Sequence, residues 1–171
     1  ANDTSGNSNS INLTFSMNLD SDGDGTPDYL DTDDDNDGFP DAGDCLSGSV
    51  QNIYTNISNL TFKVNGSENI TQNFSGMQPF QFFAGSAPVM EFNFNFDSCA
   101  QACSLGNITL QQQPASESKG YTFTRNVCRS AGQTKTVYVD DIDVTKNSVC
   151  IKDEELDSVT EISSDCSGSG E

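Results

Sequence analysis

The first pattern in the chain is strict alternation. Ile11, Leu13, Phe15, Met17 and Leu19 are apolar and the residues between them are polar, which predicts a strand with one buried face. The same two-residue period returns at Met90, Phe92, Phe94 and Phe96, around Tyr121 and Phe123, and around Val137 and Val139. Gly, Pro, Asn and Ser clusters punctuate these runs. Strands are expected at 50–64, 68–75, 79–84, 88–97, 106–113, 119–128, 134–145 and 148–152. A helical period is suggested only over 153–162, a short acidic run. About eight short strands at this spacing predict an all-β fold, an antiparallel β-sandwich of jelly-roll or Ig-like type. The 11 phenylalanines, with no Trp, are expected to form its core.

Between the first strand and the sandwich lies a stretch of another kind. Residues 20–32 and 33–45 are one 13-residue unit written twice, of the form D-x-D-x-D-G-x-x-D-x-x-D. Asp20, Asp22, Asp24, Gly25, Pro27, Asp28 and Asp31 recur as Asp33, Asp35, Asp37, Gly38, Pro40, Asp41 and Asp44. Carboxylates at positions 1, 3 and 5 can surround one point. Glycine at position 6 permits a sharp turn that aims the carbonyl of Thr26 or Phe39 inward, and the acids at 9 and 12 close the shell. A hard cation with six to eight oxygen ligands needs such a set, so Ca2+ is expected, as two or more ions. The alternative is an acidic disordered linker, since 20–44 contains no Lys or Arg. That alternative does not explain why Gly and Pro stay in register. The two are linked: a floppy polyanion without metal would become a rigid strut with it.

These residues resemble the thrombospondin type 3 calcium repeat and the short calcium loops of dockerins. The resemblance implies ions wrapped in series with little other secondary structure. It covers residues 20–45 alone. Only Cys45 stands where that family places its repeat cysteines, with Thr32 at the equivalent position, so the family's disulfide ladder does not carry over. The KGYTFT and TVYVDDIDV runs (119–124 and 136–144) are weakly similar to jelly-roll carbohydrate-binding modules. Asp140, Asp141 and Asp143 are therefore either a further calcium site or a solvated acidic face.

Composition narrows the partners. The net charge of −19 makes nucleic acid and anionic membranes poor ones. No apolar run is long enough for membrane insertion as a helix. There is no His, which excludes Ser–His and Cys–His catalysis, and no phosphate-binding glycine loop is present. We expect no enzyme. Cys45, Cys99, Cys103, Cys128, Cys150 and Cys166 are expected in disulfides of unassigned pairing, and hence in an oxidising, secreted or cell-surface setting. The polar start, ANDTSGNSNS, is expected of a processed mature terminus. Eight N-x-S/T sequons occur, at Asn2, Asn12, Asn56, Asn59, Asn65, Asn69, Asn73 and Asn107, and five of them lie between 56 and 73. That clustering points to a glycosylated face.

The expected organisation is an N-terminal extension (1–19), two calcium repeats (20–45), a sandwich (46–152) and an acidic Ser/Gly-rich tail (153–171). The strand at 11–19 either joins its own sheet or completes that of a neighbouring copy. In the second case it is a donor strand, and head-to-tail insertion gives a secreted extracellular filament of this one chain, stiffened by calcium. The alternative function is a calcium-dependent carbohydrate-binding or adhesin module that recognises surface glycans.

Overall fold

The alternation at 90–96 is realised as a long strand at the centre of a sheet. A computed structural model describes residues 20–71, 74–97, 102–113, 120–140, 145, 149–152, 156–162 and 166–168. The candidate donor strand (11–19), Cys99, Asp141, Asp143, Asn2, Asn12 and Asn73 lie outside the described residues.

The strands are β1 (Leu46–Ser47), β2 (Tyr54–Thr55), β3 (Leu60–Val64), β4 (Met77–Ala84), β5 (Ala87–Asn95), β6 (Cys103–Ser104), β7 (Thr109–Gln112), β8 (Thr122–Arg125) and β9 (Lys135–Val137). β3, β4, β5 and β9 form an antiparallel sheet in that order. β2, β7 and β8 form a second sheet, and β1 pairs with β6. The fold is all-β, as its sequence pattern predicts. Antiparallel pairing dominates, but β1–β6 and β2–β7 run parallel.

Inward residues of both larger sheets meet in one core. Phe62, Val64, Phe80, Phe82, Phe92 and Phe94 come from the first sheet, and Leu110, with Ile53, Leu105 and Ile108 beside it, from the second. Phe80 is fully buried at the centre, with ring centroids of Phe62 and Phe92 both at 5.1 Å and Phe94 at 5.4 Å. Such edge and offset contacts favour a fixed packing over a fluid one. Alternation fails at one place, where Val89 and Met90 are both buried. Phe82 pairs with Met90 and Phe83 with Pro88, so Val89 is an extra residue in β5. This bulge turns two successive side chains inward. The Val89 carbonyl is satisfied outside the ladder by the Tyr138 N–H at 2.8 Å.

Two expected strands are absent among the described residues. No strand occurs among the described residues of 68–75, where side chains take over the backbone. Asn69 Oδ1 accepts from the Thr71 N–H at 3.0 Å and Ser67 Oγ accepts from the Asn69 N–H at 3.1 Å. Such local bonds compete with sheet ladders. At 149–152, Val149 and Ile151 are 67% and 68% exposed and pack on no sheet among the described residues, and Cys150 is bonded to Cys166 instead. The expected run 50–64 opens with a 3₁₀ turn (Val50–Asn52) and is divided into β2 and β3 by residues 56–59, and the described residues of 153–162 contribute a 3₁₀ turn at Val159–Glu161. A second disulfide, Cys103–Cys128, ties β6 to the segment after β8, and Cys45 is also disulfide-bonded.

Candidate metal centre

The 13-residue repeat is a repeat of structure as well as of sequence. Position 1 takes the N–H of the position-6 glycine: Gly25 to Asp20 at 3.1 Å, and Gly38 to Asp33 at 3.0 Å. Position 5 takes the N–H of position 7: Thr26 to Asp24 at 2.6 Å, and Phe39 to Asp37 at 2.8 Å. Position 9 takes the N–H of position 2: Ser21 to Asp28 and Asp34 to Asp41, both at 2.9 Å. Position 12 takes the N–H two residues on: Asp33 to Asp31 at 3.1 Å, and Leu46 to Asp44 at 2.9 Å. Each proline carbonyl closes a turn three residues later, Pro27 with Leu30 at 2.8 Å and Pro40 with Gly43 at 2.9 Å.

Gly25 and Gly38 share a φ of 96°, far into the region that side chains avoid. The repeat formula leaves the fourth position unassigned. Gly23 and Asn36 are both left-handed, at φ 80° and 54°. The signal was present, because Gly and Asn are the residues that tolerate this conformation most readily.

Folding each loop this way gathers its first three acids. Asp20, Asp22 and Asp24 each offer an oxygen within 4.8 Å of the others, and so do Asp33, Asp35 and Asp37. Two oxygens on opposite sides of one calcium are about 5 Å apart, twice a bond of about 2.4 Å. Each triad therefore fits around a single hard cation. Its donor set is all carboxylate, which suits calcium or magnesium rather than zinc. Asp28, Asp31, Asp41 and Asp44, through the bonds just described, brace the same loops. Thr26 and Phe39 sit directly after the turning glycines.

The loops lie side by side, joined by a hydrogen bond from Asn36 Nδ2 to Asp22. A cleft of about 420 Å³ opens between Asp22 and Asp24, Asp35 and Asn36, and Ser49 and Asn52 of the sandwich. The second loop is bound to the body. Gly48 N–H donates to Asp35, and the buried Cys45 follows Asp44 directly and accepts from the Cys103 N–H at 2.7 Å. Burial pushes the Asp35 carboxyl up to about 6, with the Gly48 bond opposing it and Asp37 and Asp44 adding repulsion. Burial likewise raises Asp37 and Asp44. Asp34 was not predicted as a ligand, because position 2 is Ser21 in the other copy. Its Oδ1 is enclosed without a hydrogen-bond partner, and loss of solvent, then Asp41, Asp28, Asp31 and Asp22, raise it.

Elsewhere, Asp140 accepts from Gln113 Nε2 at 2.7 Å. No cluster of three possible metal ligands occurs among the described residues outside the two repeats.

The molecule is thus an all-β sandwich that carries two tandem acidic loops. No family model matches the chain, and no curated protein or solved structure matches it. No helix among the described residues is long and apolar enough to cross a membrane.

Proposed function

We propose that this chain is a secreted structural subunit of an extracellular filament. Residues 11–19 act as the donor strand, inserting into the sandwich of the next copy, and Ca2+ in the 20–44 loops fixes the angle between successive bodies. The observation that carries this reading is the pair of hydrogen-bonded acidic loops, of which the second is tied to the sandwich through Asp35 and through the Cys45 carbonyl, which accepts from the Cys103 N–H. A linker built on backbone bonds to carboxylates gains rigidity when an ion neutralises those carboxylates. The disulfides Cys103–Cys128 and Cys150–Cys166 are compatible with an oxidising compartment.

Head-to-tail insertion does not close on itself, so one kind of contact yields a fibre. The test is a chain with Phe15→Asp and Met17→Asp, examined by sedimentation in calcium. The variant should stay monomeric while the parent forms large species. A parent that is monomeric under the same conditions contradicts the proposal. Calcium-dependent retention of that monomer on a glycan array would establish the adhesin alternative instead.

A further inference from the structure

Four of the five sequons among the described residues, Asn56, Asn59, Asn65 and Asn69, surround β3, which ends its sheet. The ladder phase of β3 can be read from its two ends. Asn59 C=O accepts from Gly85 N–H at 3.1 Å, and Asn65 N–H donates to Pro79 C=O at 2.9 Å. In an antiparallel pair, alternate residues point both groups at the partner. Residues 59, 61, 63 and 65 therefore face β4, while Leu60, Phe62 and Val64 face outward. The Asn65-Gly66 turn, with φ 51° and 79°, folds Ser67 back onto Val64, which exchanges two bonds of 2.9 Å with it. Leu60 and Phe62 are left facing no strand among the described residues. Such an edge can pair with a foreign strand unless something covers it.

Asn59 and Asn65 bracket this opening. Both are exposed, and neither side chain makes a hydrogen bond among the described residues. Thr61 and Lys63 between them lie on the face away from the core, opposite the buried Phe62 and Val64. Asn56 differs. Its Nδ2 donates to Gln112 C=O at 2.7 Å, and its Oδ1 accepts from Gln112 N–H at 3.0 Å. The carboxamide thus stands in for a strand residue and extends the β2–β7 pairing. A sugar on that nitrogen would be driven against the Gln112 backbone.

We infer that Asn59 and Asn65 carry N-linked glycans that shield the open edge of β3, and that Asn56 stays unmodified as a structural clamp. The bond formed joins Asn Nδ2 to the anomeric carbon of a sugar. The donor is a lipid-linked oligosaccharide. Its anomeric carbon–phosphate bond breaks, the lipid phosphate leaves, and the amide gives up one proton. A bulky hydrated group at each end of a five-residue strand blocks lateral pairing there. The inference rests on the secreted setting proposed above and not on filament growth.

The test is glycopeptide mass spectrometry of the protein purified from its source cells. Sugar on Asn59 and on Asn65, with Asn56 bare, is the expected result. Sugar on Asn56, or a bare Asn59 or Asn65, overturns the assignment. In a second arm, Asn59→Gln with Asn65→Gln should increase aggregation at least several-fold over the parent, both carrying the Phe15→Asp and Met17→Asp changes that remove the candidate donor strand. Unchanged aggregation overturns the shielding role. Asn56→Gln should leave the glycan mass unchanged and lower the Tm.

Discussion

The first and second acidic loops make the same five hydrogen bonds, yet they sit in different surroundings. Asp20 and Asp24 of the first loop are exposed, and that loop is bonded to its neighbour through Asp22 and Asn36, Asp31 and Asp33, and Thr32 and Asp41. Asp33, Asp35 and Asp37 of the second are half-buried, and its end runs into the core at Cys45 and Leu46. One motif thus serves two purposes. The second loop is part of the body, and charge held there costs desolvation, as the raised Asp35 records. Among the described residues, the first loop's hydrogen bonds run within the loop and to the second loop, not to the sandwich, so a change in it should reach the body less strongly. A cation should therefore stabilise the body mainly through the second loop and fix the direction of the leading segment mainly through the first.

Four outcomes would sharpen or break this contrast. The largest concerns the core on which the second loop leans. Phe80→Ala removes the central ring of the cluster and should cost about 3–5 kcal/mol by denaturant unfolding. It should also weaken one class of calcium site while the other keeps its affinity by calorimetry. Equal loss at both would erase the distinction. Next, Asp33→Ala with Asp37→Ala should lower calcium affinity at one site by about tenfold or more, or about 1.4 kcal/mol. It should also lower the calcium-bound Tm, whereas Asp20→Ala with Asp24→Ala should lower affinity and leave the Tm nearly unchanged. Third, Gly38→Ala forces a side chain into φ 96°, where the added Cβ meets nothing, so the cost is backbone strain of about 1–2 kcal/mol. Gly25→Ala carries the same local strain, but global unfolding should barely register it.

The smallest effect is on pH. A carboxyl whose pKa is higher in the folded chain binds more protons folded than unfolded, so the stability it lends at low pH is lost as pH rises through the folded value. For Asp35 the window runs from about 4 to about 6. The metal-free Tm should fall across that window, Asp35→Asn should flatten the fall, and calcium should reverse it by competing with protons. A metal-free profile that rises with pH would contradict the account.

Much of this was legible in the sequence where period and chemistry agreed. Met90 to Phe96 alternate because one face of β5 is core, and the acidic repeat keeps its glycines because only they reach φ 96° cheaply. The misses have physical causes. Residues 68–71 look strand-like by composition, but Ser67 and Asn69 bond their own backbone. Val149 and Ile151 alternate correctly, but among the described residues no sheet lies beside them. The bulge at Val89 is invisible from one strand, since it is defined by the partner. The contribution of Ser49 and Asn52 to the cleft, and the enclosure of Asp34, arise only when the loops are laid against the sandwich.

The most direct test of the central claim is negative-stain imaging of the purified chain, first in calcium and then in excess chelator. The account predicts filaments of constant axial repeat in calcium that become sinuous, with bodies still joined, when the ion is removed. Monodisperse single particles under both conditions would contradict it.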